Sequence, residues 1–349
     1  MSTIAVVTSS PPLAEGGHLV IARSLVTALR DAGHHADIVV TPQNRFGRNL
    51  SSYLANRLTD VGRTADGRHV DQVISLRWPS YAVRHPAHVS WLNHTAREYY
   101  DLWERFSAGL SNANRVKEQL RRSIIQRTDS WLLRSNVTRL VSQSKTVQAR
   151  LRRYNGLESD VVYPPAPQRA YRCDTFEPFF FAVSRFAPLK RLDLLIEALA
   201  RPEAAGIRAV IAGEGEQWGS IRQLVAERGI ADRVTLPGRV DDATLVDYYA
   251  RCRAVVFTPF EEDFGFVTVE AFASGKPVVT TFDSGGPAEL VDDTVTGRVV
   301  PAEAGALAGV LRELADSEAL AVRLGAAAAV RSSTLSWADT VDRLILPLH

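Results

Sequence analysis

Glu262 and Glu270 stand eight residues apart in PFEEDFGFVTVEAFASGKPVV, residues 259–279, with Phe264-Gly265-Phe266 between them. An ionised carboxylate only accepts hydrogen bonds, and its two oxygens suit a pair of adjacent hydroxyls such as a ribose diol. Glu270 falls among Val267, Val269, Ala271, Phe272 and Ala273, and a carboxylate in apolar surroundings needs partners. Glu262, in the loop before it, suits the hydroxyls of a second sugar. For each glutamate a structural salt bridge is an equal alternative.

Cations and glycines recur near other strand ends. In VSRFAPLKRLDLLIEAL, Arg185 leaves a strand and Lys190 precedes a helix; a planar fork plus a point charge suits a diphosphate. The alternative for Lys190 is a surface lysine at a helix start. The chain has only four lysines, Lys117, Lys145, Lys190 and Lys276. TTFDSGGPAELV places Gly285-Gly286 in a tight turn with Pro287 opening a helix, and SSPPLAEGGHLV places Gly16 and Gly17 likewise near the N-terminus. Free N–H groups at such helix starts favour anions, although turns need glycine anyway. His94 follows HVSWLN at a strand end, where it is either a site residue or a structural histidine.

These residues need a scaffold of strands with loops at their carboxyl ends. TIAVVTS (3–9), ADIVVT (36–41), QVISL (72–76), HVSWL (88–92) and RLVS (139–142) read as strands, alternating with helices such as the amphipathic stretch 16–33. The pattern restarts with FFFAVS (179–184), RAVIAG (208–213), RVTLPG (233–238), AVVFTP (254–259), PVVTT (277–281) and GRVVP (297–301). A helix is expected from about Phe266 to Ser274, with its N-terminus directed at the site and Gly275 ending it. The aperiodic, proline-rich YPPAPQRAYRCDTFEP (163–178) reads as a linker. The expectation is an α/β chain of two doubly wound, Rossmann-like domains facing each other across a cleft. They span 1–162 and 179–331, with a C-terminal helix in 332–349 returning to the first. Ligands of such sheets bind beyond the carboxyl ends of the strands.

The totals narrow the function. A chain of 349 residues suffices for two cores, and a net charge of +2 gives no general attraction to nucleic acid. Cys173 and Cys252 match no zinc or redox spacing. No apolar run reaches a membrane span, and the N-terminus lacks the basic region of a signal peptide, so a soluble cytoplasmic protein is expected. The segment 97–153 carries 13 Lys and Arg against 5 Asp and Glu. It reads as solvated helix faces or as a surface meeting an anionic acceptor or membrane headgroups.

In order and spacing, EDFGFVTVE followed by AFASGKPVV, with SRFAPLKRLDLLIEA, AGEG (212–215), LPGRVDD (236–242) and SGGPAELV, resembles the retaining GT-B glycosyltransferases of family four. The likeness covers about 180–300 and the N-terminal Gly-Gly helix, and is loose over 41–160. WLNHTAREYYDLW (91–103) is similar to a variant in members acting on surface saccharides or natural products.

The resemblance implies a nucleotide-sugar donor, with uridine favoured and guanosine as the alternative, and a saccharide or small-molecule acceptor. Arg185 and Lys190 would hold the diphosphate, Glu270 the ribose and Glu262 the transferred hexose. Phe264, Gly265, Phe266 and Val267 would lie along sugar and phosphate, and Val240 against the base. Gly16, Gly17 and Gly286 would complete the donor site. His94 would touch the sugar, and His94 with Arg97 would meet the acceptor. No cofactor and no metal is expected, in keeping with the lack of an Asp-x-Asp pair. Alternative readings are a non-catalytic nucleotide-sugar-binding subunit and transfer to a lipid-linked acceptor at a membrane surface.

Overall fold

The computed structural model describes residues 1–13, 16–44 and 47–347. The chain divides into two compact units, Met1–Pro164 with the segment from Ser336 onward, and Pro165–Leu335. The proline-rich stretch therefore belongs to the second unit from Pro165 on. Each unit is a six-stranded parallel sheet flanked by helices.

In the first unit the strands are β1 (Thr3–Ser10), β2 (His35–Pro42), β3 (Gln72–Ser75), β4 (His88–Leu92), β5 (Arg139–Ser142) and β6 (Asp160–Val161), in the order β2-β1-β3-β4-β5-β6. Only β6 goes beyond the sequence reading, since two residues carry no periodicity. β1, β3 and β4 are buried along nearly their whole length, which is why they read as unbroken apolar runs. The helix Gly17–Asp31 buries Ile21, Ala22, Leu25 and Leu29. The helix Trp337–Leu344 is gripped by this sheet. Gln72 donates to the Leu344 carbonyl at 2.8 Å and accepts from the Leu346 N–H at 2.9 Å, and Arg139 donates to the Arg343 carbonyl at 2.8 Å. Leu348 and His349, at the end of the 332–349 segment, lie outside the described residues.

A buried acid organises the helical side of this unit. Asp129, in the helix Asn112–Ser135, accepts the hydroxyls of Tyr53 and Tyr81 on Oδ1 and that of Tyr100 on Oδ2, the last at 2.6 Å. Trp78 Nε1 donates to the Tyr53 hydroxyl at 2.8 Å. Burial pushes the Asp129 carboxyl up from 3.8 to about 6.

The second unit contains β7 (Phe179–Val183), β8 (Arg208–Ala212), β9 (Val234–Gly238), β10 (Ala254–Val256), β11 (Val278–Thr281) and β12 (Gly297–Val300), in the order β12-β11-β10-β7-β8-β9. Chain order runs outward from β7 in one direction and from β10 in the other, so the winding reverses between these two strands. Loops leaving such a pair diverge and open a crevice at the carboxyl edge of the sheet. Cys252 is wholly buried, and burial pushes its thiol up to about 12, so it is a packing residue.

Candidate functional site

The loops leaving β7 and β10 are fastened by an arginine that sequence reading had passed over. Arg191 takes a left-handed backbone conformation (φ 48°) after the turn Pro188–Lys190. Its guanidinium donates to the carbonyls of Thr258 (2.9 Å) and Pro259 (2.7 Å), to Thr281 Oγ1 (2.7 Å) and to both oxygens of Asp283 (2.7 Å each). This fork ties the edges of β7, β10 and β11 together. The Arg191 hydrogen bonds hold the Asp283 carboxyl below its ordinary range.

Glu262 is fixed by its backbone. Its N–H donates to the Ser284 carbonyl, and its own carbonyl accepts the Gly286 N–H, both at 2.9 Å. The glycine pair permits this approach: a Cβ on Gly285 would lie 2.5 Å from the Glu262 carbonyl oxygen, and one on Gly286 2.5 Å from the Phe264 Cα. The Gly286 N–H is thereby spent inside the protein. With its backbone held, Glu262 presents Oε2 to Lys190 Nζ at 2.6 Å. Both side chains are about one-fifth exposed, so this pair of assigned residues is brought together and still touches solvent. Arg185 is exposed and makes no side-chain hydrogen bond or ion pair among the described residues.

Gly265, at φ 83°, turns the chain into the helix Phe266–Ala273, where a side chain would strike Phe257 and Pro287 at 2.8 Å. Phe264 is buried edge-on against Phe266, with ring centroids 5.2 Å apart, while Phe266 and Val267 are half-buried in the first turn. One turn further on, Glu270 is buried and held by protein groups. Oε1 accepts from Arg169 Nη1 (2.6 Å) and the Tyr171 hydroxyl (3.3 Å), and Oε2 from the Tyr249 hydroxyl (2.8 Å). Arg169 also meets Asp242 at 3.1 Å. Three of roughly four acceptor positions are thus taken among the described residues. Arg169 and Tyr171 lie in the proline-rich stretch; the signal for them was Glu270 itself, an acid in an apolar run that required a cation. Val240 is half-buried after β9, beyond Gly238 (φ 79°).

The first unit also reverses its winding, between β1 and β3. Gly16 and Gly17 are exposed at the start of the helix Gly17–Asp31, and residues 14–15 lie outside the described residues. His18, to which no role had been given, places Nε2 3.1 Å from Ser10 Oγ. Burial, and then the positive charge of Arg77 beyond β3, lower its imidazole to about 4, which keeps it neutral at pH 7. His94 sets Nδ1 2.7 Å from the Thr95 carbonyl. Arg97 is drawn into an ion-pair cluster: Asp101 Oδ2 lies 2.6 Å from Arg97 Nη2 and 3.3 Å from Arg150 Nη2. His94 and Arg150 line one small pocket, and Arg97 is not part of its lining. Among the described residues no three His, Cys, Asp or Glu side chains gather as a metal site.

Residues 168–331 match the sequence profile of the family described as Glycosyl transferases group 1. The match falls in the second unit and takes in just under half of the chain. Among curated relatives, the chain is 33% identical to the D-inositol 3-phosphate glycosyltransferase of Mycolicibacterium smegmatis, over 54% of this chain and 45% of that one. It is 29% identical to the Mycobacterium marinum protein of the same name, over 79% of this chain and 63% of that one. It therefore spans about half to three-fifths of these relatives' lengths.

Among solved structures, sucrose-phosphate synthase from Thermosynechococcus elongatus superposes with a TM-score of 0.74 at 20% identity, covering 97% of this chain and 96% of that one. Anabaena HepE in complex with UDP and glucose does so with a TM-score of 0.70 at 19% identity, covering 97% of each. The fold is that seen in GT-B glycosyltransferase structures, α/β with two parallel six-stranded sheets. Among the described residues no helix is long and apolar enough to cross a membrane.

Proposed function

We propose that the protein moves a hexose-type sugar from a nucleotide sugar, a uridine diphosphate sugar before a guanosine one, to a hydroxyl of a saccharide or natural-product acceptor. The transfer retains anomeric configuration and uses no metal. The observation that carries this reading is the Lys190–Glu262 pair, 2.6 Å apart where the winding of the second sheet reverses. A cation suited to a diphosphate and a carboxylate suited to sugar hydroxyls lie within one hydrogen bond, beside the N-terminus of the helix Phe266–Ala273. That helix end and the unpaired Arg185 add positive potential for charge growing on a leaving diphosphate.

In this reading the bond from the anomeric carbon to the diphosphate breaks while the acceptor oxygen bonds to that carbon on the same face. The acceptor's proton passes to the departing phosphate oxygen. Lys190 exchanges Glu262 for the diphosphate, and Glu262 turns to the sugar. Glu270 has one acceptor position left for a ribose hydroxyl, rather than the two of a diol clamp. His94 and Arg97 carry the acceptor side on the first unit. The likeness to HepE, whose structures are described with UDP, glucose and UDP-glucose, supports the choice of uridine.

The test incubates the protein with UDP-hexose and candidate acceptor sugars in excess chelator and reads the anomeric proton of the product by NMR. An α-linked product from an α-donor is expected. A β-linked product overturns retention, activity that returns only with magnesium or manganese overturns metal independence, and bound donor without product points to a binding subunit.

A further inference from the structure

The helix Asn112–Ser135 has two apolar faces. Ile125, Leu132 and Leu133 turn into the first unit. Val116, Leu120, Ile124 and Trp131 share the opposite side at helical spacing and stand exposed, Val116 at 73%, Leu120 at 66% and Trp131 at 56%. The helix Asn49–Leu58 also carries an exposed apolar stripe, opposite a buried side that is mostly polar. Ser52, Tyr53 and Asn56 are buried, while Leu50, Leu54 and Leu58 follow one another every four residues and are exposed, Leu58 at 74%.

The two helices adjoin. Tyr53 bonds to Asp129, the Arg57 guanidinium lies 5.4 Å over the Trp131 ring, and Arg57 Nη1 donates to Asn136 at 2.7 Å. Scattered exposed leucines need no explanation, but two neighbouring stripes mark an interaction surface.

Charge selects the occupant. Both acids of the helix Asn112–Ser135, Glu118 and Asp129, are buried, whereas Arg115, Lys117, Arg127 and Arg134 are exposed. Beside the stripe runs an open groove of about 660 Å³ lined by Arg127, Trp131, Arg134 and Tyr154, with serines and a glutamine between them. A second copy of the chain would set like charge against like, and a nucleic acid would leave the leucines in water. A bilayer with anionic headgroups satisfies both halves of the face: apolar side chains enter the acyl boundary, tryptophan and tyrosine sit at headgroup level, and arginines reach phosphate.

We propose that the paired helices Asn49–Leu58 and Asn112–Ser135 form a docking face for an anionic lipid surface, with headgroup phosphates taken by Arg127 and Arg134. The basic run 97–153 acts through this one face rather than along its length.

The test is co-sedimentation of the full chain with phosphatidylcholine vesicles, with and without phosphatidylglycerol. Wild type pellets only with phosphatidylglycerol and is released by high salt. Leu54→Glu with Leu120→Glu lowers the bound fraction about tenfold or more without changing the melting temperature, since both leucines are exposed, and Arg127→Gln lowers it less. Brominated acyl chains quench tryptophan emission in wild type and not in Trp131→Phe. Wild type remaining in the supernatant, or the double variant pelleting as wild type does, overturns the proposal. So does a double variant whose main change is a smaller mass in solution, which would make the face a contact between copies.

Discussion

Asp129 in the first unit and Glu270 in the second are both buried, and each is surrounded by more than one tyrosine hydroxyl. Asp129 is fully enclosed by Tyr53, Tyr81 and Tyr100, all neutral donors. Glu270 has Tyr171 and Tyr249 but also Arg169 at 2.6 Å, and keeps 7% of its surface exposed at the carboxyl edge of the second sheet. Each uses about three of four acceptor positions, so the count of open positions does not separate them. Access and charge do: the enclosed acid ties helices together, and the one paired to a cation at a strand edge keeps some contact with solvent.

Removing Asp129 should cost more than removing the cation that pairs with Glu270. Asp129→Ala leaves three buried hydroxyls without their acceptor and opens a cavity, a loss of about 4 kcal/mol. Arg169→Met leaves the Glu270 carboxylate uncompensated but still hydrogen-bonded by two tyrosines and touched by solvent, a loss of about 3 kcal/mol. Urea denaturation followed by tryptophan fluorescence measures both. A larger loss at Arg169 than at Asp129 would reverse the comparison.

The same difference should show in pH. Asp129 has a folded value of about 6 against an ordinary 3.8 because of burial, so between those values the folded state binds more protons than the unfolded one. Its contribution is fully present below about pH 4 and is lost as pH rises through about 6, an amplitude of roughly 3 kcal/mol. Asp129→Asn does not titrate, so its stability relative to wild type should rise by that amount between pH 4 and pH 7. Denaturation curves at four pH values test this, and parallel profiles would mean that the acid stays ionised throughout the window.

How far the sequence carried follows from these clusters. The strands of the second sheet and the helix Phe266–Ala273 were legible because each depends on residues close together in the chain. The partners of Glu270 were not: Arg169 and Tyr171 lie about a hundred residues away in a stretch with no periodicity. Asp129 was hidden for the opposite reason. It sits in a helix whose many charges resemble a solvated face, and only its three tyrosines, each on a different element, show it to be core. The exposed stripe of that helix shares its turns with arginines, so counting charge concealed the apolar residues. Lys190 and Glu262 were recognised separately, but their ion pair depends on how Gly285 and Gly286 seat one loop on another.

That ion pair gives the smallest and most discriminating effect. Lys190 and Glu262 are each about one-fifth exposed, so their pairing contributes little to stability, about 1 kcal/mol or less. In the proposed reading, a diphosphate arriving at Lys190 must displace the Glu262 carboxylate and its negative charge. Glu262→Gln removes that competitor, so free nucleoside diphosphate should bind as tightly as to wild type or up to about fivefold tighter. Glu270→Gln should weaken the same ligand, because the amide placed among Arg169, Tyr171 and Tyr249 turns one acceptor into a donor. With a nucleotide sugar the order reverses for turnover: Glu262→Gln loses rate through the missing sugar contact, chiefly in kcat if that contact strengthens as charge builds on the ring. Calorimetry with the diphosphate and steady-state kinetics with the sugar donor are both needed. If Glu262→Gln weakens the free diphosphate as much as Glu270→Gln does, Glu262 supports the nucleotide rather than the sugar, and the exchange of partners at Lys190 does not occur.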